Sequence, residues 1–181
     1  MRPSLPRPTA RLFFRELDER DLPALRAILQ DPTTMAAYEG PFDEAEVQAW
    51  LARQRARYAD DGLGLWAVCS GATGETIGQC GLTWQPVDDS QVLEVGYLFQ
   101  RSFWHRGFAT EAARACRDHA FTVLDAPRVH AIIRDNNLAS MNVAIRCGMT
   151  VRRRVVRHFR GVVMPHYVFA VDRAAGELAG S

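Results

Sequence analysis

Residues 103 to 121, FWHRGFATEAARACRDHAF, run two aromatics into His105 and Arg106, place one glycine at 107, and continue as an alanine-rich series with no further glycine. From Ala109 the small or apolar positions fall at 109, 112, 113, 116, 120 and 123, the spacing of a helix buried along one side. Gly107 therefore stands at or just before a helix start. Such an end offers backbone N–H groups without internal acceptors and a partial positive charge, and both suit phosphate oxygens. Gly107 lets a ligand approach the backbone where a Cβ would obstruct it. Arg101, His105 and Arg106 add donors beside it. A plain strand-to-helix bend with solvated arginines accounts for the same residues.

Two other phosphate chemistries fail on context. No G-x-x-x-x-G-K-[ST] run occurs, so a Walker-type loop is excluded. GLGLWA, with Gly62, Gly64 and Ala67, matches G-x-G-x-x-A but precedes a strand pattern and opens no helix. Cys69, Cys80, Cys116 and Cys147 have neither C-x-x-C spacing nor nearby histidines in a ligand pattern, so they read as reduced core thiols and no metal is expected.

Composition narrows the partners. The 181 residues suit one domain with a complete core. Lys and Arg number 22 against 21 Asp and Glu, a formal charge of +1, so any electrostatic function must be local. All of these cations are arginines. The start, MRPSLPRPTA, lacks the apolar stretch of a secretory signal, and no run approaches the ~18 apolar residues of a membrane span. A cytoplasmic protein without a membrane partner is the expectation.

The elements that must position the glycine segment follow from pattern. RLFFREL suits a strand, after which Asp21 is placed to cap a helix carrying Pro23 in its first turn and Leu22, Leu25, Ile28 and Leu29 on one face. A second helix starts at Asp43, with Glu46 completing a capping box, Phe42 placed to staple against Val47, and Val47, Trp50, Leu51, Gln54 and Tyr58 on one face. LWAVCS and ETIGQCGLTW, joined by GATG, read as a hairpin, and VLEVGYLF as the next strand. RVHAIIR reads as a strand, NLASMNVAIRCG as a helix closed by Gly148, and TVRRRVV and HYVFAV as two last strands. The predicted order is strand, two helices, three strands, helix, strand, helix, two strands. That order favours an α/β fold of mixed α+β type, with a mixed sheet and helices on its faces. Residues 1–9, with three prolines, read as a flexible lead-in, 10–172 as the folded domain and 173–181 as a flexible tail.

With these elements in place, VLEVGYLF, WHRGFATEAARA and VHAIIRDNNLASMNVAIRCGM together resemble the core of the GNAT superfamily of acetyl-CoA-dependent N-acetyltransferases, in particular its RimJ/RimL-type branch. The resemblance spans roughly residues 11 to 172. Three linked pieces carry it: the E-x-G-Y strand with Glu94, Gly96 and Tyr97, the R-G-x-A-T-E-A helix start at 106–112, and the N-x-x-S turn of Asn137 and Ser140 with Gly148 beyond. It implies a single-domain fold with a central, mostly antiparallel sheet of about six to seven strands. It also implies that the strand holding Glu94 splays from the one holding Ile132, leaving a slot for pantetheine. The arm's amides would bond the free strand edge at Tyr97, Leu98 and Phe99, and pyrophosphate would take backbone N–H groups of Trp104, His105, Arg106, Gly107, Phe108, Ala109 and Thr110. Trp104 stands where the family pattern carries Gln or Arg.

The implied chemistry is acetyl transfer from acetyl-CoA to a primary amine by direct attack, without metal or covalent enzyme intermediate. Glu94 is the first candidate for a base acting through water, with pairing to an arginine or a backbone amide as its structural alternative. Many relatives place a tyrosine four residues before the glycine that closes the last helix; here that residue is Ala144. In the branch resembled, the serine of N-x-x-S faces the sulfur, which nominates Ser140 to stabilise the leaving thiolate, while Asn137 is placed to cap its helix, to bond pantetheine, or both. Glu111, in the first helical turn, reads as structural. His158, His166 and Tyr167 border the acceptor cleft by analogy. RRRVVRHFR reads as a solvated edge strand rather than a nucleic-acid surface, with guidance of an acidic substrate as its alternative. The acceptor is a protein α-amine, an aminoglycoside or other small amine, or an amino acid. A non-catalytic acyl-CoA-binding module is the reading from another class, and a homodimer stays open.

Overall fold

A computed structural model of the chain describes residues 5–38, 40–159 and 161–174. Seven strands form one sheet in the order β1-β2-β3-β4-β5-β7-β6: β1 (Leu12–Arg15), β2 (Gly64–Ser70), β3 (Thr76–Val87), β4 (Ser90–Phe99), β5 (Arg128–Arg134), β6 (Thr150–Phe159) and β7 (Val162–Asp172). Every neighbouring pair is antiparallel except β4 with β5. Four helices cover it: α1 (Leu22–Leu29), α2 (Glu44–Asp60), α3 (Phe108–Thr122) and α4 (Leu138–Arg146). The element order, the mostly antiparallel sheet and the helices on both faces agree with the sequence reading.

Alternation along the strands divides the core in two. Leu93, Val95 and Phe99 of β4, with Val129, Ala131 and Ile133 of β5, pack under Phe108, Ala112, Ala113, Cys116 and Ala120 of α3. On the other face Ala67, Cys69 and Leu98 meet Leu25, Ile28 and Leu29 of α1 and Val47 and Leu51 of α2. Glu94, Gly96 and Leu98 therefore share the α2 face, as period-two alternation requires. All four cysteines are buried and free, with Cys80 Sγ 3.5 Å from Cys116 Sγ.

Local signals hold with three corrections. The α2 capping box forms, Glu46 N–H donating to Asp43 Oδ1 at 2.8 Å and Asp43 N–H to Glu46 Oε2 at 2.9 Å, and Phe42 meets Trp50 edge-on at 5.8 Å. Asp21 occupies the cap position of α1 without capping it. Its carboxylate instead receives Arg15 on both oxygens at 2.7 Å and Thr76 Oγ1 at 2.8 Å, a stronger set of donors than one helix amide. In α3 the buried stripe takes in Phe108, His119 and Phe121, while Val123, at the C-cap, is half exposed. The last two strands run longer than their apolar cores suggested because they pair directly through the turn at Gly161. A register shift falls at Val151/Arg153, and Arg152, Arg153 and Arg154 each pair with an aspartate: Asp172, Asp88 and Asp135. β6 forms one edge of the sheet and β1 the other.

Candidate active site

The parallel β4–β5 pairing is a single register, Glu94 with His130. Two residues on, the Ile132 N–H donates at 3.0 Å to the Glu94 carboxylate rather than to a main-chain carbonyl of β4. The side chain thus takes the amide that ladder continuation would have used, and the strands part there. Beyond the split, a cleft of about 380 Å³ opens, lined by Glu94, Gly96, Tyr97 and Leu98 from β4 and by Asn137 and Ser140 from the start of α4. A Cβ on Gly96 would stand 3.1 Å from Leu65 Cδ2, so the missing side chain helps keep the floor open.

Three of the nominated residues are locked to one another. Asn137 Oδ1 accepts from Ser140 N–H at 3.1 Å, capping α4, and Tyr97 Oη donates to the Ser140 carbonyl at 2.7 Å. Burial pushes the Glu94 carboxyl up to about 7 against the opposing pull of the Ile132 amide, Arg157 and Arg57. A carboxyl so poised exchanges protons near neutral pH.

The glycine segment lies apart from that cleft. Gly107 adopts φ +80°, a left-handed value that L side chains rarely take, and serves as the N-cap of α3. No side chain caps this end, and the first helical bond runs from Glu111 N–H to the Gly107 carbonyl at 3.0 Å. The amides of Phe108, Ala109 and Thr110 are those that helix geometry leaves without internal acceptors. Trp104 donates its indole N–H to the Phe99 carbonyl at 2.9 Å, pinning the loop to the end of β4. That use of the indole gives a structural reason for tryptophan there. His105 takes φ +59°, and the Arg106 guanidinium lies over the Phe103 and Phe108 rings at 5.5 and 5.0 Å. Leu98, at the wall of the cleft, and Phe99 are both buried.

A second cavity of about 540 Å³ flanks this helix start, with Gly107, Thr110, Arg114 and Arg146 in its walls. Arg11 braces it. Its Nε donates to Glu111 Oε2 at 2.7 Å, its Nη1 to the Arg106 carbonyl at 3.0 Å, and its guanidinium covers the Phe108 ring at 4.4 Å. Glu111 also accepts from Thr9 Oγ1 at 2.6 Å, so it ties the lead-in to the helix. Pattern reading gave no hint of Arg11, because its partner lies 100 residues away.

Of the residues placed by analogy, His166 lines the cleft, Tyr167 packs into the core on the opposite face, and His158 is exposed. Trp50, Arg53 and Arg57 of α2, and Arg157 of β6, also line the cleft. Trp50 lies on the α2 face read from the sequence; Arg53 and Arg57 do not, although they stand three and seven residues after Trp50, a helical spacing that marks one side of α2 without saying what it faces. Among the described residues no cluster of three His, Cys, Asp or Glu could hold a metal, and no helix is long and apolar enough to cross a membrane.

A splayed parallel pair in an otherwise antiparallel sheet, with an uncapped helix start after it, defines an acetyltransferase fold, and residues 11–150 match the acetyltransferase (GNAT) domain family. The chain belongs to that family. It is 36% identical over 142 residues, 78% of this chain and 83% of the other, to the uncharacterized protein YkkB of Bacillus subtilis (strain 168). The crystal structure of an acetyltransferase from Agrobacterium tumefaciens str. C58 superposes with a TM-score of 0.77 at 30% identity, over 91% of this chain and 92% of that one. RimL, the ribosomal L7/L12 alpha-N-protein acetyltransferase in complex with coenzyme A, superposes with a TM-score of 0.76 over 93% of this chain and 98% of its own. At 18% identity that likeness shows the fold, and it singles out no branch.

Proposed function

We propose that the protein transfers the acetyl group of acetyl-CoA to a primary amine, with Glu94 as base and Ser140 beside the leaving sulfur. The observation that carries this reading is the site where β4 and β5 part: a carboxyl poised near 7 faces the cleft into which the N-terminus of α4 brings Ser140. The residues fit the cosubstrate. Free amides at α3, behind a glycine at φ +80°, suit a diphosphate, and the edge of β4 beyond Glu94 has no β5 partner for its main chain, which suits the amides of an extended pantetheine arm.

Acetyl-CoA supplies the thioester. The amine nitrogen bonds to the acetyl carbon, the C–S bond breaks, and its electron pair leaves with sulfur. The amine's proton passes to Glu94, directly or through water, and the Ser140 hydroxyl hydrogen-bonds the departing thiolate, which takes a solvent proton afterwards. A thiol near pKa ~8.5 leaves with this help alone, so a tyrosine acid at position 144 is not required. An α-amine near ~8 gives up its proton to a base of this strength more readily than an ε-amine near ~10.4. That preference, with the N-x-x-S motif, supports an α-amine acceptor as in the RimJ/RimL-type branch.

Calorimetric titration with acetyl-CoA, and with desphospho-CoA for comparison, tests the loop. Binding by the parent and its loss in Gly107→Trp are expected; affinity retained in that variant would count against the placement. Glu94→Gln and Ser140→Ala should then slow turnover with cosubstrate affinity nearly intact. If neither slows it, the assigned chemistry is wrong. If the parent binds acetyl-CoA but acetylates no amine, a non-catalytic acyl-CoA-binding module replaces the transferase.

A further inference from the structure

Resting on the transferase reading, we infer that the acceptor amine carries a carboxylate, which Arg57 and Arg157 receive beside Glu94. The lining of the cleft includes four arginines, Arg53, Arg57, Arg134 and Arg157, with His166, against one carboxylate, Glu94, among the described residues. The whole chain is nearly neutral at +1, so this local excess is not inherited from composition.

Most described arginines outside the cleft pair with a carboxylate, as Arg15 does with Asp21, Arg26 with Glu44 and Arg152 with Asp172. Those of the cleft are differently engaged. Arg134 donates to the carbonyls of Ala37 and Tyr38, and Arg53 lies over the Trp50 ring at 4.9 Å. Arg57 reaches Gln54 Oε1 at 3.4 Å with one nitrogen, and Arg157 reaches the Pro86 carbonyl at 3.1 Å with one nitrogen. Neither has an ion-pair partner among the described residues, and each keeps guanidinium N–H groups for a ligand. Both line the cleft with Glu94 and act on it electrostatically, Arg57 from α2 and Arg157 from β6.

A guanidinium fork matches a carboxylate in geometry and charge, and burial of such a pair with substrate favours it over a neutral isostere. A polycationic amine would meet four like charges. Loss of a charged hydrogen bond typically costs ten- to a hundredfold in affinity.

Three amine pools, offered to the full chain with acetyl-CoA, test this by free-thiol release and product mass. The first holds α-amino acids and dipeptides with free carboxylates, the second the same compounds as carboxamides, the third polyamines and aminoglycosides. The first pool should be acetylated with kcat/KM about ten- to a hundredfold above the second. Arg57→Gln and Arg157→Gln should each bring that ratio toward one while still binding acetyl-CoA, which also reports that they fold. Equal rates for carboxylates and carboxamides overturn the inference, as does preference for the third pool, or acetylation of no pool by a protein that binds acetyl-CoA. Failure to bind acetyl-CoA at all removes the transferase reading, and this inference with it.

Discussion

The Glu94 carboxylate accepts the Ile132 amide at 3.0 Å at the point where β4 and β5 separate. One side chain thereby ends a strand pairing and places a carboxyl inside the gap it creates. The price is that the carboxyl is held in a partly desolvated site, which burial pushes up to about 7. As a base it works only when ionised, so kcat/KM for an amine should rise through pH 7. Glu94→Gln should lower kcat by about a hundredfold or more and remove that rise. A rise near pH 7 that survives in the variant would assign the titration to another group.

The same shift has a stability consequence of opposite sign. The folded carboxyl titrates near 7 against an ordinary 4.5, so between those values the folded state holds more proton than the unfolded one. Stability attributable to Glu94 is therefore greatest below pH 4.5 and falls as pH rises to 7, then stays low. Glu94→Gln keeps an acceptor for the Ile132 amide and loses the buried charge. Urea unfolding at pH 8 should find this variant more stable than the parent, by at most about 3 kcal/mol, with the gap closing toward pH 4. Equal midpoints at pH 8 would mean that the carboxylate is not penalised by its site.

Most of the fold was legible because its signals are local. The capping box at Asp43 and Glu46, the glycine at 148 that closes α4 at φ +80°, and the small-residue stripe of α3 each lie within one element. The glycine segment was legible for the same reason. Arg57 and Arg157 were not, because α2 and β6 become neighbours of one cleft only through the sheet order, and periodicity carries no information about which distant element a helix face meets. Asp21 misled for a related reason: a cap residue is recognised from the next few positions, whereas its carboxylate is claimed by Thr76, 55 residues away.

Asp21 anchors β1 and α1 to β3. It is 1% exposed, receives Arg15 at 2.7 Å, Thr76 at 2.8 Å and the Asp18 amide at 3.0 Å, and has no water-facing alternative for these donors. Burial alone would raise its pKa, but the donors outweigh it and hold the carboxyl below the usual carboxylate range. The stability it contributes is present above the unfolded pKa of ~3.9 and lost as pH falls through the folded value. Asp21→Asn should cost about 2–4 kcal/mol at pH 7, measured by urea unfolding, and the difference from the parent should shrink as the solution is acidified below pH ~4. A pH-independent difference would point to packing rather than charge.

Arg11 tests whether the cofactor loop is held from outside the helix it precedes. Its side chain is 48% exposed, so its pair with Glu111 should contribute little to global stability. Its position matters more than its energy: one guanidinium holds the Arg106 carbonyl, the Glu111 carboxylate and the Phe108 ring, fixing both sides of Gly107. Arg11→Ala should leave the thermal midpoint and kcat nearly unchanged. It should raise KM for acetyl-CoA roughly three- to tenfold, the scale of one lost hydrogen bond. Lysine at this position has no Nε–H and no planar face, so Arg11→Lys should not restore affinity. A KM unchanged in both variants would show that the backbone of residues 104–110 keeps its binding shape unaided, and Arg11 would then be an ordinary surface ion pair.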